Sequence, residues 1–85
     1  MNIKTEKLFD RDYARLPQHL QERVKKQLAL LLENLRHPSL QAHKMGGRGD
    51  IWEARVTQDY RFTFWIDGDT YRLRRVGTHE IYRNP

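Results

Sequence analysis

The sequence predicts an α+β fold in which an N-terminal helical hairpin packs on a small twisted antiparallel sheet. Between residues 5 and 35, apolar residues recur every three to four positions, which is the spacing of helices that bury one face. From residue 51 onward, apolar and polar residues alternate, which is the spacing of half-buried strands. A chain of 85 residues has room for one hydrophobic core, so we predict one domain over residues 1–85.

The helical half divides at Pro17. The first helix is predicted from Thr5, as its N-cap, to Leu16, because a residue that precedes proline is restricted to extended conformations. The second helix is predicted over residues 18–35. Its apolar stripe comprises Leu20, Val24, Leu28, Leu31 and Leu35. Residues 1–4 offer a short additional strand at the edge of the sheet.

Three strands are predicted in the last third of the chain. Their ranges are 51–57, 60–66 and 71–77, and Asp67-Gly68-Asp69 is a hairpin signal between the last two. The long glycine-containing loop over residues 36–50 precedes them, and loops of this length are often functional. One face of the sheet is expected to be charged and aromatic; it comprises Glu53, Arg55, Arg61, Thr63, Trp65, Arg72 and Arg74.

Composition favours an anionic partner. The chain has 16 Lys plus Arg against 11 Asp plus Glu, a formal net charge of +5, and arginine is suited to bidentate phosphate contacts. A well-hydrated surface without a ligand explains the charge equally well. No cysteine is present and the histidines lack ligand spacing, so we predict no disulfide, no metal and no cofactor. No apolar run suits a membrane or a signal peptide, which predicts a soluble, cytoplasmic protein.

Three stretches together resemble the RelE/ParE superfamily, small bacterial toxins of type II toxin–antitoxin pairs. The stretches are residues 12–17 before a long amphipathic helix, residues 40–47 with 51–56, and residues 59–61 with 67–69 and 75–82. The resemblance implies the fold predicted above. RelE-like, YoeB-like and HigB-like members are ribosome-dependent, metal-independent mRNA endonucleases, whereas ParE-like members poison DNA gyrase.

The resemblance also implies roles for single residues. Arg61 stands where an arginine holds the scissile phosphate, and His79 stands where acid–base or charge-stabilising chemistry is supplied. Tyr82 matches a tyrosine that stacks on a base or completes a proton relay. RelE has prominent lysines in its glycine-containing loop, where this chain offers only Lys44 and Arg48. This difference favours a histidine-based mechanism of the YoeB-like and HigB-like kind.

Cleavage of RNA without a metal needs a base for the 2'-hydroxyl, a cation for the phosphorane and an acid for the leaving 5'-oxygen. Glu53 and His79 are the candidate base and acid, and Tyr82 completes the candidate catalytic set. Arg61 is the principal cation, with Arg55 or Arg75 as a second one. The expected product is a 2',3'-cyclic phosphate. The candidate RNA-binding or phosphate-binding residues are Lys44, Arg48, Arg55, Arg74, Arg75 and Trp65.

Other interpretations of the same residues remain open. Arg61 can simply pair with Glu53 across two strands, His79 can be a surface residue, and Tyr82 can pin the chain end. Arg72 and Arg74 can be solvated charges that protect a sheet edge. The partners implied are a cognate antitoxin with an acidic tail, and the ribosome with its mRNA. A ParE-like gyrase poison and a non-catalytic RNA-binding module are the alternative functions.

Overall fold

The computed structural model describes residues 1–85 as two helices packed on a five-stranded sheet, which confirms the predicted fold class. The elements in chain order are β1 (Asn2–Thr5), α1 (Lys7–Ala14), α2 (Gln18–Glu33), β2 (His43–Lys44), β3 (Trp52–Arg55), β4 (Arg61–Asp67) and β5 (Thr70–Gly77). Two 3₁₀ turns lie at Pro38–Leu40 and His79–Arg83. The strand order across the sheet is β1-β5-β4-β3-β2.

The sheet is antiparallel apart from one edge, where the pairing is parallel. The expected short strand β1 is present there and pairs parallel with β5, with Ile3 opposite Tyr71. The other strand pairs are antiparallel. Strand β2 was not predicted, because its two residues are exposed and carry no apolar pattern.

The helices are shorter than predicted. Helices α1 and α2 end at Ala14 and Glu33, before the predicted ends at residues 16 and 35. Thr5 is not the N-cap of α1, because its backbone pairs with Leu73 in the sheet; Glu6 takes the N-cap position without a side-chain cap. Strand β3 ends at Arg55 because the chain turns back over the next residues.

The hydrophobic core lies between α2 and one face of the sheet. Val24 and Leu31 of α2 are at most 1% exposed, as are Phe62, Phe64 and Leu73 of the sheet. The ring centroids of Phe62 and Phe64 lie 5.6 Å apart. Neither helix combines the length and the apolar character that crossing a membrane demands. Because this face of the sheet is covered, the opposite face is left for polar chemistry.

Residues 78–85, here called the C-terminal segment, fold back over part of that opposite face. The Thr63 hydroxyl donates to the Pro85 carbonyl oxygen at 2.7 Å, and Thr63 is fully buried although it was predicted on the charged surface. Ile81 of the segment packs on Gly77, where a Cβ would come within 2.9 Å of the Ile81 Cγ2. The segment therefore needs glycine at the end of β5.

Asp12 of α1 closes the open edge of β5 beyond the end of β1. Its buried carboxylate accepts hydrogen bonds from the Arg75 Nε at 2.6 Å and from the Val76 backbone N–H at 3.2 Å. The carboxylate thus takes the place of a strand partner and neutralises a largely buried guanidinium, since the Arg75 side chain is 15% exposed.

Candidate active site

A group of ionisable side chains lies on the outer face of the sheet, where β2, β3 and β4 are adjacent. Its centre is Glu53, which is 8% exposed. The Glu53 Oε1 lies 3.6 Å from the His43 Nε2 and 4.0 Å from the Arg61 Nε. His43 and Glu53 are directly paired on neighbouring strands, so their side chains project to the same face. The sheet register therefore places a carboxylate between an imidazole and a guanidinium.

Arg61 is held in a fixed orientation by the turn that precedes it. Its Nη1 donates to the carbonyl oxygens of Gln58 and Tyr60, both at 3.0 Å, and also to that of Thr57. The Nη2 donates to no protein acceptor, and the side chain is 23% exposed. One end of the guanidinium is thus anchored while the other is free to bind an anion. Arg61 can therefore approach Glu53 and still bind a phosphate, so the two roles predicted for it are compatible.

Tyr82 of the second 3₁₀ turn joins this group. Burial raises the pKa of the Tyr82 phenol above its ordinary value of 10.0, the neighbouring Glu53 carboxylate raises it further, and the Arg61 charge offsets part of the effect. The phenol is therefore a proton donor at neutral pH rather than a base. We call His43, Glu53, Arg61 and Tyr82 the active-site cluster.

His79 does not join the active-site cluster. It is exposed and lines a hollow of about 480 Å³ with Asp59, Tyr60, Thr78 and Glu80. No hydrogen bond or ion pair connects it to Glu53, Arg61 or Tyr82. The histidine beside Glu53 is His43, which was not among the predicted site residues. Only the pairing of β2 with β3 reveals it, and β2 has no sequence signal.

The arginines of β5 contact other parts of the protein. The Arg74 guanidinium lies 4.0 Å from the centroid of the Trp65 ring, and its Nε donates to the Pro85 carbonyl oxygen at 3.1 Å. Arg75 is paired with Asp12 and donates to the Asn84 carbonyl oxygen at 3.0 Å. Arg75 therefore stabilises the fold, and its role as a second phosphate cation stays a prediction. Arg74 and Trp65 cover one another.

Arg55 is the other candidate for a second cation. It is paired with Arg61 in the register of β3 and β4, projects to the same face as Glu53, and forms no ion pair. Lys44 and Arg48 are exposed beside β2, and the Lys44 Nζ lies 3.6 Å from an Asp50 carboxylate oxygen. Adjacent strand residues project to opposite faces, so Lys44 points away from the face that carries His43.

Comparison with solved structures identifies the fold. YafQ from Escherichia coli strain BL21(DE3) matches with a TM-score of 0.77 at 20% identity, over 95% of this chain and 96% of that one. The RelB–RelE antitoxin–toxin complex from Methanococcus jannaschii matches with a TM-score of 0.75 at 26% identity, over 96% and 99%. This chain has the fold of the RelE/ParE superfamily of toxins. No family model and no curated protein sequence matches it.

Other members of the superfamily extend this likeness. The YoeB/ParE toxin from Agrobacterium tumefaciens matches with a TM-score of 0.80 at 15% identity, over 93% of this chain and 99% of that one. The E. coli YafQ toxin has also been solved with the antitoxin DinJ. These structural neighbours of the chain are toxins of toxin–antitoxin pairs.

The interaction between Tyr82 and Glu53 has a measurable signature. We expect the Tyr82 phenolate to form above pH 10.0, and the Glu53→Gln variant to lower that pKa because it removes a negative charge. The unfolded chain ionises first from pH 10.0 upward, so this group makes folding stability fall as the pH rises above that value.

An ultraviolet titration of phenolate absorbance measures this pKa, and the difference from the Tyr82→Phe variant assigns the signal to one tyrosine. An unchanged or raised pKa in the Glu53→Gln variant would show that Glu53 and Tyr82 do not interact.

Proposed function

We propose that this protein is the toxin of a type II toxin–antitoxin pair and a ribosome-dependent, metal-independent mRNA endonuclease. The observation that carries the proposal is the active-site cluster, in which a nearly buried carboxylate lies between an imidazole and an anchored guanidinium. Its superfamily neighbours, which are toxins, support the toxin assignment.

The exposure of the groups suggests their roles. His43 is 59% exposed, so its ring can reach a substrate. Its Nδ1 donates to the Gln41 carbonyl oxygen at 2.9 Å, which leaves the Nε2, beside Glu53, to take the proton of the 2'-hydroxyl. The Glu53 side chain is 10% exposed; it orients His43 and stabilises the imidazolium that forms. This changes the role predicted for Glu53 from base or acid to a group that acts through His43.

The remaining groups complete the reaction. The 2'-oxygen attacks phosphorus, and the Arg61 Nη2 with Arg55 neutralises the negative charge of the phosphorane. As the bond from phosphorus to the 5'-oxygen breaks, the protonated Tyr82 phenol gives its proton to that oxygen. The products are a 2',3'-cyclic phosphate and a 5'-hydroxyl, and no metal enters the reaction.

The same proposal includes two partners. An acidic, amphipathic antitoxin tail suits the net charge of +5, and superfamily neighbours have been solved with the antitoxins RelB and DinJ. The ribosome would hold mRNA in its decoding centre against the small active-site cluster, and the activity would then be cytoplasmic.

Expression of the protein without its antitoxin tests the function, and two histidine variants test the site. We expect growth arrest and new mRNA 5' ends within translated codons. The His43→Ala variant should cut about 100-fold less, because general acid–base catalysis contributes at least that factor. His79→Ala is the matched control, an exposed histidine outside the active-site cluster, and should cut as the wild type does.

If His79→Ala lost cleavage while His43→Ala kept it, the catalytic role would belong to His79, and the role proposed for His43 would be wrong. Growth arrest with DNA damage and intact mRNA would identify a gyrase poison instead. Absence of both arrest and cutting would identify a non-catalytic RNA-binding module.

A further inference from the structure

A basic stripe runs along the exposed side of α1. Lys7 and Arg11 of the helix and Arg15 at its C-cap are four residues apart and all exposed, and such spacing places side chains on one helical face. Lys7 and Arg15 form no ion pair. Arg11 approaches only Asp12, at 3.5 Å, and that carboxylate is already bound by Arg75. The stripe therefore presents charge without a dedicated partner in the protein.

The stripe borders a groove between α1 and β5. Two adjoining hollows of about 410 and 250 Å³ share Arg75 as a lining residue. Their cations are Lys7, Arg11, Arg15, Arg74 and Arg75, and we call this set the α1 groove. The carboxylates that line it are Glu6, Asp12 and Glu80. Glu6 is paired with Arg72 at 3.2 Å and Asp12 with Arg75, so the groove keeps an excess of positive charge.

The α1 groove is separate from the active-site cluster, since none of the four residues of that cluster lines either hollow. We propose that the α1 groove binds the phosphate backbone of RNA as a second contact surface. Arg11 and Arg15 of the stripe have the planar fork that suits phosphate oxygens, whereas Arg75 is bound to Asp12 and Arg74 lies over Trp65. A docked protein would bring an apolar centre, whereas the groove offers Leu8 as its only exposed large apolar side chain.

The geometry also fits a chain of phosphates rather than one anion. The stripe from Lys7 to Arg15 spans about 12 Å at the rise of about 1.5 Å per helical residue. Contacts of this kind are insensitive to base sequence and weaken with salt, because each one releases counterions from the RNA. The α1 groove would therefore hold RNA of any sequence beside the active-site cluster.

Binding of a fluorescein-labelled single-stranded RNA of about 12 nucleotides, without ribosomes, tests this proposal. Anisotropy is measured between about 50 and 200 mM salt. The Arg11→Ala/Arg15→Ala double variant should bind about tenfold more weakly, and its logarithmic salt slope should fall by about 1.4, which is two phosphate contacts of about 0.7 each on a single strand. Lys26→Ala/Arg36→Ala removes two exposed charges that line neither hollow and should keep the wild-type slope.

Equal salt slopes and affinities for the two double variants would overturn the proposal. The proposal would also be overturned if the Arg11→Ala/Arg15→Ala variant bound RNA as the wild type does but no longer bound an oligoglutamate peptide. That result would assign the groove to an acidic protein segment. Because the measurement needs no cleavage, its failure is distinguishable from failure of the endonuclease proposal. Both substituted arginines are exposed, and matching thermal unfolding curves verify that the variants fold.

Discussion

Replacing Arg61 with alanine is expected to lower mRNA cleavage on the ribosome by about 10²- to 10³-fold, the effect of removing one group that stabilises charge in a transition state. The reason is geometric. Three carbonyl oxygens of the preceding turn hold the Nη1, so the free Nη2 needs no reorganisation to meet a phosphorane. Lysine places one rotatable charge there instead of an anchored planar fork, so Arg61→Lys should also lose most of the activity.

Arg72→Ala is the matched control for Arg61→Ala. Arg72 lies on the same sheet, and its guanidinium is paired with Glu6 at 3.2 Å and with Asp67 at 3.8 Å, outside the active-site cluster. Cleavage rates are measured with purified protein and ribosomes paused on a defined mRNA. An equal loss in both variants would mean that Arg61 contributes only general positive charge. An unfolding curve for each variant separates loss of activity from loss of structure.

Replacing Asp12 with alanine is expected to destabilise the folded protein by about 3 to 5 kcal/mol, the usual cost of breaking a buried ion pair by removing one partner. The change would leave the Arg75 guanidinium, whose side chain is 15% exposed, without a counterion. It would also leave the Val76 backbone N–H without its acceptor at the open edge of β5. Urea unfolding measures the free energy directly.

Two further variants define the origin of that loss. Asp10→Ala removes an exposed carboxylate from the same helix and should change stability by less than about 0.5 kcal/mol. Asp12→Asn keeps an acceptor for the Val76 N–H while removing the charge. Its free energy of unfolding should therefore lie between those of Asp12→Ala and Asp10→Ala. If Asp12→Ala were as stable as Asp10→Ala, Asp12 would not hold the edge of β5.

The parts of the fold that the sequence predicted are those with a strong local pattern. The apolar stripe of α2 and the alternation in β4 and β5 arise from burial against one core, so periodicity alone finds them. Strand β2 has two exposed residues and no such pattern. The parallel pairing of β1 with β5 joins residues far apart in the sequence, and it follows from packing of the whole chain.

The candidate site was predicted in part for the same reason. Glu53, Arg61 and Tyr82 come together as expected, but His43 joins them through β2, which only the structure shows. Arg75 looked like a free cation because its partner, Asp12, lies 63 residues away in the chain. An ion pair of that kind has no sequence spacing by which it can be recognised.

The most direct test of the central claim is analysis of the cut ends of an mRNA that ribosomes hold paused, after addition of the purified protein. We expect a cut within the codon in the decoding centre that leaves a 2',3'-cyclic phosphate and a 5'-hydroxyl, and that disappears in the His43→Ala and Arg61→Ala variants. An intact mRNA, or a cut that both variants still make, would contradict the assignment of the active-site cluster as an mRNA endonuclease.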